Sequence, residues 1–259
     1  MDHPGLTNSD GGGIVVGTSV DVGGLVTHLT QWLEERRQAA AASGYVVGLS
    51  GGIDSAVTAA LCLRTGSATT CLIMPAHSNP QDEADAEAVA AALGVTPASV
   101  NLGPVYDAFM QSLSAVESGT DLAKANLKPR LRMAALYYIA NSRNALVVGT
   151  GNRSELYFGY FTKYGDGGVD LLPLGNLVKH EVRSLARALD IPAQVIEKQP
   201  SAGLWSGQTD EGEMGVSYEE LDRYILEGKA TPDIAQLIER AHSRSEHKRG
   251  MPSVASVGN

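Results

Sequence analysis

Tyr45-Val46-Val47-Gly48-Leu49-Ser50-Gly51-Gly52-Ile53-Asp54-Ser55 is the stretch on which the fold turns. Its first five residues form a short apolar run of strand type, and a helical stretch follows over residues 56–64. Between them, two adjacent glycines open backbone conformations that a side chain would forbid, so successive N–H groups can converge. Hydroxyls at Ser50 and Ser55 add donors, and the helix beginning near Ser55 turns free N–H groups and a partial positive charge toward an anion. The string is an oxyanion cradle without a lysine, unlike a Walker A loop, which places Lys after its last glycine. Asp54 is the odd member, because a carboxylate beside a phosphate is repulsive unless Mg²⁺ lies between them. A bare Ser-Gly-Gly reads as a turn and helix cap; the six-residue string after a buried strand is far more specific.

Outward from this turn, apolar strands alternate with helical stretches. Leu25, Leu29, Trp32 and Leu33 have helical spacing, which predicts a helix over 21–42 ended by Gly44. Further strands are expected at 70–74, 99–102 and 145–149. Helices are expected over 82–93, 105–118, 131–142, 178–189, 218–226 and 232–243, with loop from 150 to about 173 and a polar tail from Glu246. Strands that are nearly all apolar imply a parallel sheet buried on both faces. The expected fold class is therefore α/β, a Rossmann-like parallel sheet flanked by helices on both faces. Residues 1–20, rich in Gly, Ser, Thr and Asp, read as a mobile tail, and 21–259 as one domain. Gly/Ser/Thr/Asp density near 78–82 and 201–215 marks candidate lids.

Composition narrows the function classes. The chain has 259 residues, 29 acidic against 20 basic, for a formal net charge of −9. That balance argues against a non-specific nucleic-acid binder, whose affinity comes from a basic surface. Two cysteines, Cys62 and Cys71, cannot build a disulfide scaffold or a four-thiolate zinc site, and they suit a reducing compartment. Apolar runs stay far below the roughly 20 residues of a spanning helix. The first residues lack a basic stretch followed by an apolar core, so the expected location is the cytoplasm.

The 50–55 string resembles the pyrophosphatase loop of the ATP pyrophosphatase (adenine nucleotide alpha hydrolase-like) superfamily. That resemblance implies attack on the α-phosphorus of ATP with departure of pyrophosphate, and it leaves the acceptor open. An RNA thiolation enzyme of this kind would want a basic surface and reactive paired cysteines. A non-catalytic nucleotide-binding module would need no set of carboxylates such as Asp54, Glu155 and Asp166.

Further strings narrow the choice: Asn126-Leu127-Lys128-Pro129-Arg130-Leu131-Arg132-Met133, residues 149–172 beginning Gly-Thr-Gly-Asn-Arg-Ser-Glu, Lys198-Gln199-Pro200-Ser201, and Gly207-Gln208-Thr209-Asp210-Glu211. With the loop, they resemble the NAD synthetase family from about residue 25 to 250. The resemblance implies amidation of deamido-NAD by ammonia, with ATP cleaved to AMP and pyrophosphate through an adenylated intermediate, in a homodimer. It implies ATP contacts at Gly48, Leu49, Ser50, Gly51, Gly52, Ile53, Asp54 and Ser55, and at Thr150, Lys179 and Ser201. Mg²⁺ would be held by Asp54 and Glu155. Deamido-NAD would meet Arg130, Lys163, Asp170, His247 and Lys248. Asp166, in a flexible Gly-rich loop, would hold ammonium and help it lose a proton. Asp54, Asp166 and Lys179 make the catalytic set.

Residue chemistry agrees with this reading. A carboxylate is a poor acyl donor until AMP is transferred to it, and a triphosphate needs cations around it. Thr150 ends an apolar run, where ligands of parallel sheets bind. Three positions depart from the family's usual pattern. Asn152 stands where some members have His, Ser201 where many have Thr, and Pro129 where Ala is common; Pro129 is expected to start the helix over 131–142. Cys62 and Cys71 read as small core residues, not as an amidase nucleophile, so free ammonia is the implied nitrogen source.

Overall fold

The computed structural model describes residues 21–201, 203 and 208–257. The expected tail at 1–20, and residues 202 and 204–207 of one candidate lid, lie outside the described residues.

Helix α1 (Val22–Ala39) opens with Asp21, whose side chain accepts the N–H of Gly24, and leads into strand β1 (Gly44–Gly48). The 49–52 turn and helix α2 (Ile53–Arg64) follow, then β2 (Ala68–Ile73), α3 (Pro80–Ala92) and the two-residue β3 (Ala98–Ser99). Helices α4 (Gly103–Leu113) and α5 (Asp121–Arg143) lead to β4 (Ala145–Val147), and α6 (Arg153–Phe158) follows. The rest is helical: α7 (Lys179–Ala188), α8 (Ala193–Glu197), α9 (Asp210–Met214), α10 (Tyr218–Glu227), α11 (Pro232–Arg244) and α12 (Glu246–Arg249). The strands form one parallel sheet in the order β3-β2-β1-β4, with Val46 of β1 opposite Thr70 of β2 and Val147 of β4.

Strand alternation sorts the core into two layers. Tyr45, Val47, Cys71, Ile73 and Val148 pack with Leu29, Leu33, Val57, Leu61, Val182 and Leu185 from α1, α2 and α7. Val46, Leu72, Met74 and Val147 face the other way, toward Ala140, Leu136 and Ile139 of α5. The double-sided apolar pattern of the strands thus matches helices on both faces. A smaller cluster of Met214, Val216, Tyr218, Leu221 and Ile238 holds α9, α10 and α11 together. Both cysteines are buried and free. Among the described residues, no helix is long and apolar enough to cross a membrane.

Several expected elements differ from those observed. Pro129 lies inside α5 and does not start it. Thr120 accepts the N–H of Ala123 and the helix begins at Asp121, eight residues before Pro129; Pro129 is buried, with its Cβ 3.0 Å from where a side chain on Gly165 would begin. Packing against the 162–168 turn overrides the proline's helix penalty. The stretch read as loop after residue 149 contains α6, and residues 80–82 of one candidate lid are the first turn of α3. The strand expected over 145–149 ends at Val147, although Val148 still bridges Leu171. The tail from Glu246 begins with α12, packed on α11.

Candidate active site

The turn after β1 sits at the carboxyl end of the central strand. Gly51 has φ +78°, and a Cβ there would lie 2.6 Å from the Asp82 carbonyl oxygen and 2.8 Å from Cβ of Asp85. Glycine is therefore required twice, for conformation and for the close approach of α3. The buried Ser55 hydroxyl donates to the Gly52 carbonyl at 2.8 Å and accepts the N–H of Ser50 at 3.2 Å. Ser55 therefore shapes the loop and is not the outward donor expected from the sequence; Ser50 is exposed. No side chain caps α2. The N–H groups of Gly51, Ile53 and Asp54 have no acceptor among the described residues, the arrangement of an anion site at a helix start.

Facing this turn, the side chain of Lys179 is 2% exposed, and its Nζ lies 2.5 Å from Asp54 Oδ2 and 3.4 Å from Glu155 Oε1. The ring of Tyr218 is 4.8 Å from the same ammonium, a cation–π distance. Asn152 orients both carboxylates. Its Nδ2 donates to Asp54 Oδ1 at 2.9 Å, while its Oδ1 accepts the Glu155 N–H at 3.0 Å and its own N–H donates to Glu155 Oε2 at 3.2 Å. This capping box starts α6, so Asn152 serves the site by building it. The Tyr218 hydroxyl donates to Asp210 Oδ2 at 3.0 Å and lies 3.4 Å from Glu155 Oε1.

Charge in this cluster is unbalanced. Burial works against the charge on Lys179, but Asp54 and Glu155 outweigh it and hold the lysine pKa above its ordinary value. Glu155 is pushed up as well, first by burial and then by Asp54, against the pull of Lys179. A carboxylate in a simple exposed ion pair would move down. It moves up here because burial, and after it the neighbouring Asp54 and Asp210, outweigh the one ammonium. Asp210 is raised too, chiefly by burial, and its buried Oδ1 has no donor among the described residues.

These features fit a hard cation. Asp54 and Glu155 present carboxylate oxygens, and Mg²⁺ is commonly held by one or two carboxylates with phosphate oxygens completing its shell. Among the described residues no group of three or more His, Cys, Asp or Glu is placed to hold a metal ion.

A second group gathers around residues 159–168. Lys248 Nζ donates to the carbonyls of Gly159 at 2.9 Å and Phe161 at 2.8 Å. Lys163 Nζ donates to the His247 carbonyl, and Arg130 reaches the Lys163 carbonyl at 3.5 Å. Asp166 accepts the Thr162 N–H at 2.9 Å, and desolvation by the surrounding chain raises its pKa although the residue is exposed. In its loop Gly165 and Gly167 both donate to the Thr162 carbonyl, and a Cβ on Gly167 would be 2.6 Å from the Phe161 ring.

Two expected contacts stand apart. Asp170 accepts the Tyr137 hydroxyl at 2.9 Å and the Val147 N–H at 2.8 Å, bracing β4. Ser201 is exposed, and its hydroxyl accepts the Gly203 N–H at 3.1 Å. Thr150 follows β4 at its carboxyl end, half-buried.

The NAD synthase family pattern matches residues 25–252. The NH(3)-dependent NAD(+) synthetase of Carboxydothermus hydrogenoformans is 50% identical over 229 residues, covering 87% of this chain and 94% of that protein. This chain belongs to the NAD synthase family. The NH(3)-dependent NAD(+) synthetase of Archaeoglobus fulgidus is also 50% identical, over 83% of this chain and 89% of that one. Among solved structures, NMN synthetase from Francisella tularensis superimposes with a TM-score of 0.89 at 40% identity, over 92% of this chain and all of that one. The NH3-dependent NAD synthetase of Campylobacter jejuni gives 0.76 at 30% identity, again over 92% of this chain. Family membership and the parallel α/β sheet thus agree with the fold expected from the sequence. No motif gives Tyr218 or Asp210 a role; the sequence signal is only that Asp210 lies within the Gly207–Glu211 string.

Proposed function

We propose that this NAD synthase family chain amidates the pyridine carboxylate of deamido-NAD with ammonia, cleaving ATP to AMP and pyrophosphate. The observation that carries this reading is the buried Lys179 ammonium between Asp54 and Glu155, opposite a helix start whose N–H groups are open. In the first step a carboxylate oxygen bonds to the α-phosphorus, and the bond to pyrophosphate breaks. In the second, ammonia bonds to the activated carbonyl carbon and loses a proton, and AMP departs with one former carboxylate oxygen.

Each residue has a definite task. The 50–55 turn holds phosphate oxygens, and Lys179 offsets the charge that passes to the leaving pyrophosphate. Mg²⁺, held by Asp54 and Glu155, supplies further screening of the triphosphate when bound. Thr150 and Ser201 are ATP contacts. Arg130, Lys163, Asp170, His247 and Lys248 receive the dinucleotide, and Asp166 holds ammonium and accepts its proton. Exposed apolar side chains at Val105, Phe109 and Leu113 on α4 support a homodimer. The net charge of −9 and the free buried cysteines support a cytoplasmic enzyme.

The likeness to an NMN synthetase favours one second reading, in which the acceptor is the mononucleotide bearing the same pyridine carboxylate. Incubation with ATP, Mg²⁺, ammonium and either acid tests both readings. NAD and AMP in equal amounts from deamido-NAD support the first. Preferential amidation of the mononucleotide replaces it with the second, and ADP in place of AMP contradicts both.

A further inference from the structure

α7 begins with Lys179, but its N-cap residue is Val178, which has no side chain able to accept a hydrogen bond. Glu181 accepts the Val178 N–H at 2.9 Å, which leaves the first-turn N–H groups to be satisfied from elsewhere. The Glu181 N–H bonds the Val178 carbonyl, and those of Lys179 and His180 are met from α10 and α6. Asp222 Oδ2 accepts the His180 N–H at 2.9 Å, and Oδ1 lies 3.3 Å from the Lys179 N–H. The Ser154 hydroxyl accepts that same Lys179 N–H at 3.1 Å and donates to Asp222 Oδ1 at 2.5 Å. His180 Nδ1 lies 3.1 Å from Oδ2. Asp222 is 4% exposed and Ser154 fully buried.

A carboxylate buried to this degree is retained only where donors and positive potential surround it. Here they come from the start of α7 and from α6. Asp222 thus grips the backbone of Lys179 and, through Ser154, the residue next to Glu155. Tyr218 lies one turn earlier on the same helix and places its ring against the Lys179 ammonium. Asp222 touches neither Asp54 nor Glu155, so any effect on the site passes through the backbone it holds.

We propose that Asp222 is a positioning residue for the reaction: a cap supplied by α10 that sets where Lys179 places its ammonium between Asp54 and Glu155. Ser154 is its relay to α6. This rests on the functional reading above only in taking Lys179 as an ATP contact. A displacement of about 1 Å in such a group can cost on the order of a hundredfold in rate, so the effect is large even where the fold is kept.

The test is a double-mutant cycle on Mg·ATP binding, followed by calorimetry without deamido-NAD, together with steady-state kinetics. Asp222→Asn keeps the shape and replaces one acceptor oxygen by a donor. The expected result is a tenfold or greater fall in kcat with KM for ammonium within about twofold, and at least fivefold weaker Mg·ATP binding. In a Lys179→Met background, Asp222→Asn should change Mg·ATP binding by less than about twofold, because the group it positions is gone. Equal losses in both backgrounds, or wild-type binding and kcat in the single variant, overturn the proposal. If Asp222→Asn does not fold, Ser154→Ala, which leaves the carboxylate in place, enters the same cycle and is judged the same way. Failure to make NAD from deamido-NAD defeats the functional reading separately, since the cycle is read from nucleotide binding.

Discussion

Gly51→Ala should separate what the phosphate turn demands of its backbone from what it demands of its neighbours. At φ +78°, an alanine carries about 1–2 kcal/mol of left-handed strain. Its methyl would also lie 2.6 Å from the Asp82 carbonyl oxygen, 2.8 Å from Asp85 Cβ and 3.0 Å from the Ala86 nitrogen. Two of those atoms are backbone of α3, so the loop or the helix must move, at about 1–3 kcal/mol for an overpacked site. The combined cost is about 2–5 kcal/mol, a large part of a typical folding stability of roughly 5–15 kcal/mol. Gly94→Ala is the control, because φ there is +68° and nothing lies within 4 Å of the added methyl. It should lose only the strain and keep wild-type kinetics. Thermal unfolding and ATP kinetics read the two variants side by side. Gly51→Ala is expected to melt several degrees below Gly94→Ala, at roughly 2–4 °C per kcal/mol for a domain near this size, with KM for ATP raised tenfold or more. Equal melting temperatures with an unmoved KM would refute the reasoning.

Other outcomes are equally specific. Asp166→Asn removes the carboxylate assigned to ammonium, so KM for ammonium should rise at least tenfold while KM for ATP changes less than about threefold; parallel changes in both would count against the assignment. Glu34, bonded first by Arg37 and then by Gln38, with the Ser67 hydroxyl also donating, is held down at about 2. Its contribution to stability is present above its ordinary value near 4.5 and disappears as pH falls toward 2. The gap in urea midpoint between wild type and Glu34→Gln should therefore stay constant from pH 7 to 5 and shrink below 4.5; a gap independent of pH would show that the carboxylate charge is not the cause.

Legibility from sequence followed a physical line. β1 and the 50–55 string were readable because a strand buried on both faces must be apolar throughout, and a backbone anion cradle needs glycine. Lys179 and Glu155 were readable only through resemblance: one isolated lysine and one first-turn glutamate resemble any solvated surface until the fold brings α6 and α7 to the same end of the sheet. Asn152 seemed a departure, whereas it orients both carboxylates, because a cap acts through backbone geometry that no residue pattern displays. Pro129 misled in the same way, since local propensity favours a helix start and only the packing of the 162–168 turn keeps it inside α5. Asp222 carries a signal in its spacing. Tyr218, Leu221, Asp222 and Ile225 share the i, i+3, i+4, i+7 spacing of a buried face, so a carboxylate among them needed a partner in the core.

The decisive measurement follows the oxygen of the pyridine carboxylate. With both carboxylate oxygens of deamido-NAD labelled with the heavy isotope, turnover with ATP and ammonium should deliver one labelled oxygen into AMP and leave the other in the new amide. AMP without label, or label in pyrophosphate, would contradict attack at the α-phosphorus.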